Sequence, residues 1–317
     1  MRIPARAFVT SLVLTAVVGC SSGQEADSAG TDMPRPSSAA TTKGAAEKYK
    51  PHRLTLPIYE YKFTPEENAV VDRATNIAMS SCMRRYGYSL KTDEPTITLG
   101  DRRYGVIDLY AARNYGYHLV TPRGSPETRN QRFTKDETSA MTGGLFFDSV
   151  TGEFRAMPGY SRPVTELNGR RVPKGGCSAD AQRELLGRRS LRTHAAVVSD
   201  IDTASFARSQ KVPAVAEALK EWSTCMRGKG YSYATPLESI SAVDLGKPVG
   251  DKGQKRLAIA DVACKNEVGL VKIWSAAEVK IQDKMISASR QALQQQKRDN
   301  ATTLRNARSL VAAHPDS

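Results

Sequence analysis

The chain has 317 residues, with 46 Lys and Arg against 33 Asp and Glu, a formal net charge of +13 and 40% hydrophobic residues. That is enough apolar material to bury a sizeable core, as one large domain or two modest ones. His52, His118, His194 and His314 fall at no metal-ligand spacing and no Cys-x-x-Cys occurs, which argues against a zinc site, and no cofactor is implied.

The N-terminus opens Met-Arg-Ile-Pro-Ala-Arg, and the apolar run at 7–19 closes on Val17-Val18-Gly19-Cys20. Arg2 and Arg6 form a positive n-region, and the run has the length of a secretory h-region, too short to span a bilayer as a helix. The layout resembles a bacterial lipoprotein signal. That resemblance implies that residues 1–19 are removed and that the Cys20 thiol carries a diacylglyceryl group. Two acyl chains anchor stably where one is marginal, so the expected address is the cell membrane, facing out of the cytoplasm. Residues 21–50 are rich in Ser, Gly, Ala, Thr and Pro and nearly devoid of large apolar side chains. Such a segment cannot offset its ordering entropy by burial. It is expected to be a disordered tether of about 30 Å mean span, reaching about 100 Å at full stretch. Signal and tether together resemble the lipid-anchored exported proteins of high-GC Gram-positive bacteria, a resemblance that implies no activity.

Removing residues 1–19 takes Lys and Arg from 46 to 44 against 33 acids and leaves a mature charge of +11. Outside the cytoplasm nucleic acid is not the expected partner. Anionic lipid headgroups, an anionic wall polymer or an envelope protein fit that charge better. Adjacent pairs at Arg84-Arg85, Arg102-Arg103, Arg170-Arg171 and Arg188-Arg189 stand out, although a plain soluble basic surface would look the same.

After the tether the chain divides into a first half at 51–198 and a second at 199–317. Thr64-Pro65-Glu66-Glu67 signals a helix start, with Thr64 as N-cap, Pro65 at the first position and Glu67 closing a capping box. Val71, Ala74, Ala78 and Cys82 then recur at helical spacing. Cys82-Met83-Arg84-Arg85-Tyr86-Gly87-Tyr88-Ser89 follows, and Cys225-Met226-Arg227-Gly228-Lys229-Gly230-Tyr231-Ser232 repeats it after a second stripe at Val215, Ala218 and Trp222. Gly87, and Gly228 or Gly230, are expected to supply left-handed helix stops. The repeat marks a weak internal duplication in which each half holds one later cysteine, Cys177 or Cys264.

An even count of cysteines in an exported chain reads as disulfides. Four allow three connectivities, and the duplication favours Cys82 with Cys177 and Cys225 with Cys264. In the chain-entropy account such loops would stabilise by roughly 4.7 and 3.9 kcal/mol.

Between Cys82 and Cys177 lies an insertion rich in Gly, Pro and Tyr, with a helix expected at 106–114. Tyr104, Tyr115, Tyr117 and His118 belong to it and form a possible ligand platform. Tyr in such a segment more often packs in the core with its hydroxyl wet. From Leu270 the periodicity predicts one long helix carrying a stripe at Leu270, Trp274, Ala277, Ile281 and Met285, thinning to Leu304, Ala307 and Val311. Over 271–314 the basic residues outnumber the acidic by eight to three, and this polar remainder could lie back on the fold or project toward a partner. The expected class is therefore α+β and helix-rich: two disulfide-stapled halves and a long C-terminal helix.

No nucleophile elbow or Ser-x-x-Lys motif places the Ser, His and Asp residues together, and His-Glu-x-x-His is absent. Asp261, three residues before Cys264, reads as a solvated helix-surface acid. The pattern favours a membrane-anchored surface lipoprotein that binds or scaffolds without catalysis. An envelope hydrolase with its site in the Tyr-rich insertion, or a solute-binding lipoprotein of a transporter, are the alternatives.

Cys20→Ala should shift the protein out of the membrane fraction or leave it unprocessed, and should abolish acyl labelling. Retained label in that variant would show that another residue is lipidated.

Overall fold

The computed structural model describes residues 52–90, 100–119, 133–148, 152–187, 194–246 and 251–315. The signal, the tether with Cys20, and the Arg188-Arg189 pair lie outside the described residues. A 3-10 helix at Pro57–Tyr61 leads into α1 (Pro65–Arg84), followed by α2 (Leu109–Tyr115) and α3 (Lys135–Thr142). Two small antiparallel hairpins come next. One pairs β1 (Leu145–Asp148) with β2 (Glu153–Ala156), setting Phe147 opposite Phe154; the other pairs β3 (Glu166–Leu167) with β4 (Arg170–Arg171). The remainder is helical: α4 (Gly176–Leu186), α5 (Ala195–Ser209), α6 (Pro213–Gly228), α7 (Pro236–Ser241), α8 (Lys252–Glu267), α9 (Leu270–Ala288) and α10 (Arg290–Ala313). The fold is α+β and helix-rich, as the sequence implies.

Local chemistry sets these boundaries. Thr64 accepts from the Glu67 backbone while Glu67 returns a bond to the Thr64 N–H, and Pro65 begins α1. Asp108 caps α2 by accepting from Ala111 N–H, which starts that helix at Leu109 rather than at 106.

Both disulfides join as the duplication implies. Cys82–Cys177 fastens the end of α1 to the first turn of α4, and Cys225–Cys264 fastens α6 to α8, with Cα separations of 5.6 and 5.7 Å. The duplication extends to backbone hydrogen bonding. Tyr88 N–H donates to Met83 O at 3.2 Å and Tyr231 N–H to Met226 O at 3.0 Å, while Gly87 and Gly230 donate to Arg84 O and Arg227 O, each at 3.0 Å. The two glycines sit at φ +84° and +85°, and Met83 and Met226 are both buried. Even the arginine contacts match, with Arg84 donating to Ser81 Oγ and Arg227 to Thr224 Oγ1.

The two halves interlock rather than pack as separate bodies. The largest core gathers Leu54, Ile58, Tyr104, Val106, Tyr115 and Tyr117 from the first half around Trp222, Met226, Val262, Leu270 and Trp274 from the second. In exchange, α10 crosses back to cover α1 and α4, where Ala307 packs with Ala74 and Leu185. Asn306 Nδ2 donates to Leu185 O at 2.8 Å and Arg73 to Pro315 O at 3.2 Å. A third cluster surrounds the first disulfide with Met83, Tyr86, Ala140 and Val172.

The long C-terminal helix therefore lies back on the fold, and it is broken at a single residue. Ser289, at φ −114° and ψ 17°, ends α9 and begins α10. The fully buried positions of α9 are Leu270, Trp274, Glu278 and Gln282. Two polar residues thus occupy the deep stripe, while Ala277 and Met285 are only partly buried beside it.

A Cβ built on Gly87 or Gly230 meets nothing within 4 Å, so a substitution there is charged for backbone conformation alone. Gly87→Val and Gly230→Val should each cost about 1–3 kcal/mol in a denaturant melt, and Asn at the same positions clearly less, because Asn tolerates positive φ. Val variants that melt with the native protein would place the helix stops elsewhere.

Candidate functional site

One concavity among the described residues lies where residues 53–63 meet the fold. Three pieces meet there: residues 53–63, the start of α1, and the turn at Gly100–Arg102. Pro57 opens the 3-10 helix, and Ile58 N–H is held by Gln282 Oε1 at 3.1 Å, which presses this segment onto α9. Asp101 N–H donates to His52 O at 3.2 Å, while Asp101 Oδ1 accepts Arg103 N–H and Oδ2 accepts Tyr59 OH, both at 2.9 Å. Burial and the adjacent Asp101 push the Tyr59 hydroxyl far up, so it stays a neutral donor.

The pocket so formed has a volume of about 480 Å³. Leu54, Tyr59, Phe63, Pro65 and Leu119 supply its apolar surface, and Arg53, Lys62 and Arg102 its positive charge against one acid, Asp101. Arg53 pairs with Glu66 at 2.9 Å, with both side chains about half exposed. Lys62 Nζ pairs with Asp202 at 2.7 Å and lies 5.4 Å from the Tyr59 ring centre. Arg102 donates to His118 O at 2.6 Å, which holds its guanidinium at the rim. The exposed Arg53–Glu66 pair is of the kind that is worth little and reorganises readily, so Arg53 can also serve a ligand, while Lys62 and Arg102 are held in partly buried contacts. A second groove, of about 730 Å³, lies at the α9–α10 junction. His194, Gln291, Gln295 and Arg298 line it with no apolar side chain larger than alanine.

The tyrosines expected as a ligand platform lie elsewhere. Tyr104, Tyr115, Tyr117 and His118 are all buried, and a surface platform built from them is corrected to core packing. The Tyr104 ring lies tilted against the Trp274 ring with centres 4.8 Å apart, and its hydroxyl donates to Glu278 Oε2 at 2.7 Å. Tyr117 OH reaches Asp261 Oδ2 at 3.2 Å, and the His118 ring meets Gln254 at 3.3 Å. Aromatic burial outweighs exposure here because each hydroxyl finds an acceptor inside.

Two buried ionic clusters escaped the sequence reading. Glu278 has no exposure and is held by Arg103, Tyr104, Ser205 and Gln282. Arg103 also donates to Asp202 Oδ1 at 2.8 Å. The Arg102-Arg103 pair is thus divided between the pocket rim and the core. By contrast, Arg84, Arg85, Arg170 and Arg171 are exposed.

Asp261, read from sequence as a surface acid, is fully buried. It accepts from Lys265 at 2.9 Å, Trp222 Nε1 at 3.1 Å and Tyr117. Burial pushes its carboxyl up against the opposing pull of Lys265, and burial pushes the Lys265 amine down against the pull of Asp261. Their i,i+4 spacing was the available signal, but the same spacing is ordinary on solvated helices. The pocket gave no such signal, because residues 53–63 and 100–102 meet only through the tertiary fold.

No group of three or more metal-ligating side chains occurs among the described residues, and no described helix is long and apolar enough to cross a membrane. No family model, curated protein or solved structure matches this chain.

Lys265→Met should destabilise the fold by about 3–5 kcal/mol, because it strands a buried carboxylate. Adding Asp261→Asn should recover part of that loss, since the charge is removed while an acceptor remains. Urea titrations of the two variants provide the comparison. A single variant as stable as the native protein would show that the pair is not sealed from water.

Proposed function

We propose that the protein is a lipid-anchored, extracytoplasmic binding protein of the cell envelope that carries out no chemical step. Its pocket would take an anionic amphiphile, with the apolar body against Leu54, Phe63 and Leu119 and the acidic head among Arg53, Lys62 and Arg102. The carrying observation is the composition of that pocket: three cations around an apolar wall, with both oxygens of its one acid already engaged by Tyr59 and Arg103. Pockets of this type, mostly apolar with a few placed polar groups, are the usual form of small-molecule sites. The address rests on the resemblance of residues 1–20 to a lipoprotein signal. That origin is in keeping with a high-GC Gram-positive envelope, where the +11 mature charge favours anionic ligands.

The alternatives draw less support. A hydrolase centred on the Tyr-rich insertion would need its tyrosines accessible, whereas Tyr104 and Tyr117 are buried with their hydroxyls committed inward. A transporter's solute-binding lipoprotein would present two lobes across a cleft, whereas these halves share one core.

Anilinonaphthalenesulfonate fluorescence should report saturable binding that dodecyl phosphate displaces and uncharged dodecyl maltoside does not. Leu119 is 42% exposed, so Leu119→Glu should leave the melt unchanged. Setting a carboxylate against the ligand's apolar body should weaken displacement by about tenfold or more. Displacement indifferent to Leu119→Glu would remove the pocket from this role. Turnover of an ester, peptide or glycoside that one substitution abolishes would instead establish an enzyme.

A further inference from the structure

The solvent side of α10 carries charge of one sign. Arg290, Lys297, Arg298, Arg305 and Arg308 are all exposed, and the single acid of the helix, Asp299, is turned toward His194 with only 11% of its side chain exposed. From Arg290 to Arg308 the row runs for about 27 Å at the helical rise. Between these cations the exposed residues are Gln291, Gln294 and Ala301, and Ser309 follows the last, so no large apolar side chain is available to insert into an oily phase. Their local contacts leave the charge in place. Arg298 donates to Gln295 and Arg305 to Thr302, both neutral, and among the described residues only Lys297 faces a carboxylate, Glu60, at 3.7 Å between two exposed groups. Several exposed arginines elsewhere stand against acids, with Arg53 paired to Glu66 and Arg155 to Asp148, each at 2.9 Å, Arg85 to Asp180 at 3.0 Å, and Glu166 opposite Arg171. The α10 face is therefore a row of exposed cations with no exposed acid on its own helix.

The entering chain lies against the same helix. Asn300 Nδ2 donates to Tyr61 O at 2.9 Å, one residue beyond the Glu60–Lys297 contact, so the segment arriving from the tether passes beside the basic row. We infer that the exposed face of α10 rests on the anionic headgroups of a phospholipid bilayer, as a purely electrostatic contact separate from the pocket. Such contact acts over about 8 Å at physiological salt. It tightens about fivefold for each basic side chain near the surface. Choosing a bilayer rather than a wall polymer rests on the lipid-anchor proposal above, but the test below does not require the anchor.

The chain from residue 20, bearing Cys20→Ser so that no acyl group contributes, is sedimented with phosphatidylglycerol–phosphatidylcholine vesicles and with phosphatidylcholine alone. Binding should require the anionic lipid and fade as salt rises. Arg290→Gln/Arg305→Gln/Arg308→Gln should lose about 100-fold in affinity, while Arg84→Gln/Arg170→Gln/Arg171→Gln, with the same change in net charge, should lose less than about fivefold. Thermal melts check that both triple variants keep the fold. Equal losses in the two would make the effect one of net charge and overturn the assignment to α10. So would indifference to anionic lipid, or tight binding of soluble polyphosphate by a protein that ignores vesicles. Vesicle binding by this chain, together with native protein found to carry no acyl group on Cys20, would sink the anchor while leaving this face intact.

Discussion

A carboxylate with no access to water, Glu278, is the constraint on which the rest of the structure depends. Left alone at that depth its charge would be prohibitive, and the fold answers with a guanidinium, two hydroxyls and an amide from three separate stretches of chain. Arg103 and Tyr104 come from the insertion, Ser205 from α5, and Gln282 from the next turn of α9. Gln282 in turn holds Ile58, and through it the 3-10 helix. Because Arg103 and Tyr104 are pinned inward, the preceding Asp101 and Arg102 are delivered to the rim of the pocket. The position of the candidate site is thus a downstream effect of satisfying one buried charge.

That dependence explains which parts of the molecule could be read in advance. The α1 start, the Gly87 stop and the disulfide pairing were legible because each is written in a few adjacent residues or in a repeat, while the second stop was left between Gly228 and Gly230 and falls at Gly230. Thr64, Pro65 and Glu67 specify their helix end without help from the rest of the protein. Glu278, Asp261 and Lys265 were not legible, since a charged residue on a helix is ordinarily solvated. Only long-range partners such as Arg103 and Tyr117 show that these are interior. The Tyr-rich insertion left two readings open, and its tyrosines took the commoner one, core packing: Tyr104 meets Trp274 and Glu278 of α9, and Tyr117 meets Asp261 of α8. The pocket, made of segments some 40 residues apart in sequence, had no local signature.

The repeated Cys-Met-Arg-x-x-Gly-Tyr-Ser element shows a unit conserved in geometry while its surroundings diverged. In both copies a buried methionine carbonyl receives the tyrosine N–H across a left-handed glycine. The cysteine partners differ, one in the first turn of α4 and the other near the C-terminal end of α8. A helix-end motif can therefore be reused when the staple it carries finds a new anchor, because the motif satisfies its own backbone and asks of its neighbours only a thiol at the right distance.

The exchange of elements between the halves also governs the order in which the chain can fold. The face of α1 and α4 bearing Ala74 and Leu185 stays open until α10 arrives, and contacts such as Arg73 to Pro315 bridge 242 positions. Loop closure over such separations is slow. The N-terminal half therefore cannot mature as the chain is made, and its apolar face waits for the last residues to appear. During that interval Cys82 and Cys177 can already pair, because their loop closes without α10, so the first staple can guard an unfinished core. Loss of the final helix would leave this half stapled but uncovered, a form that invites aggregation.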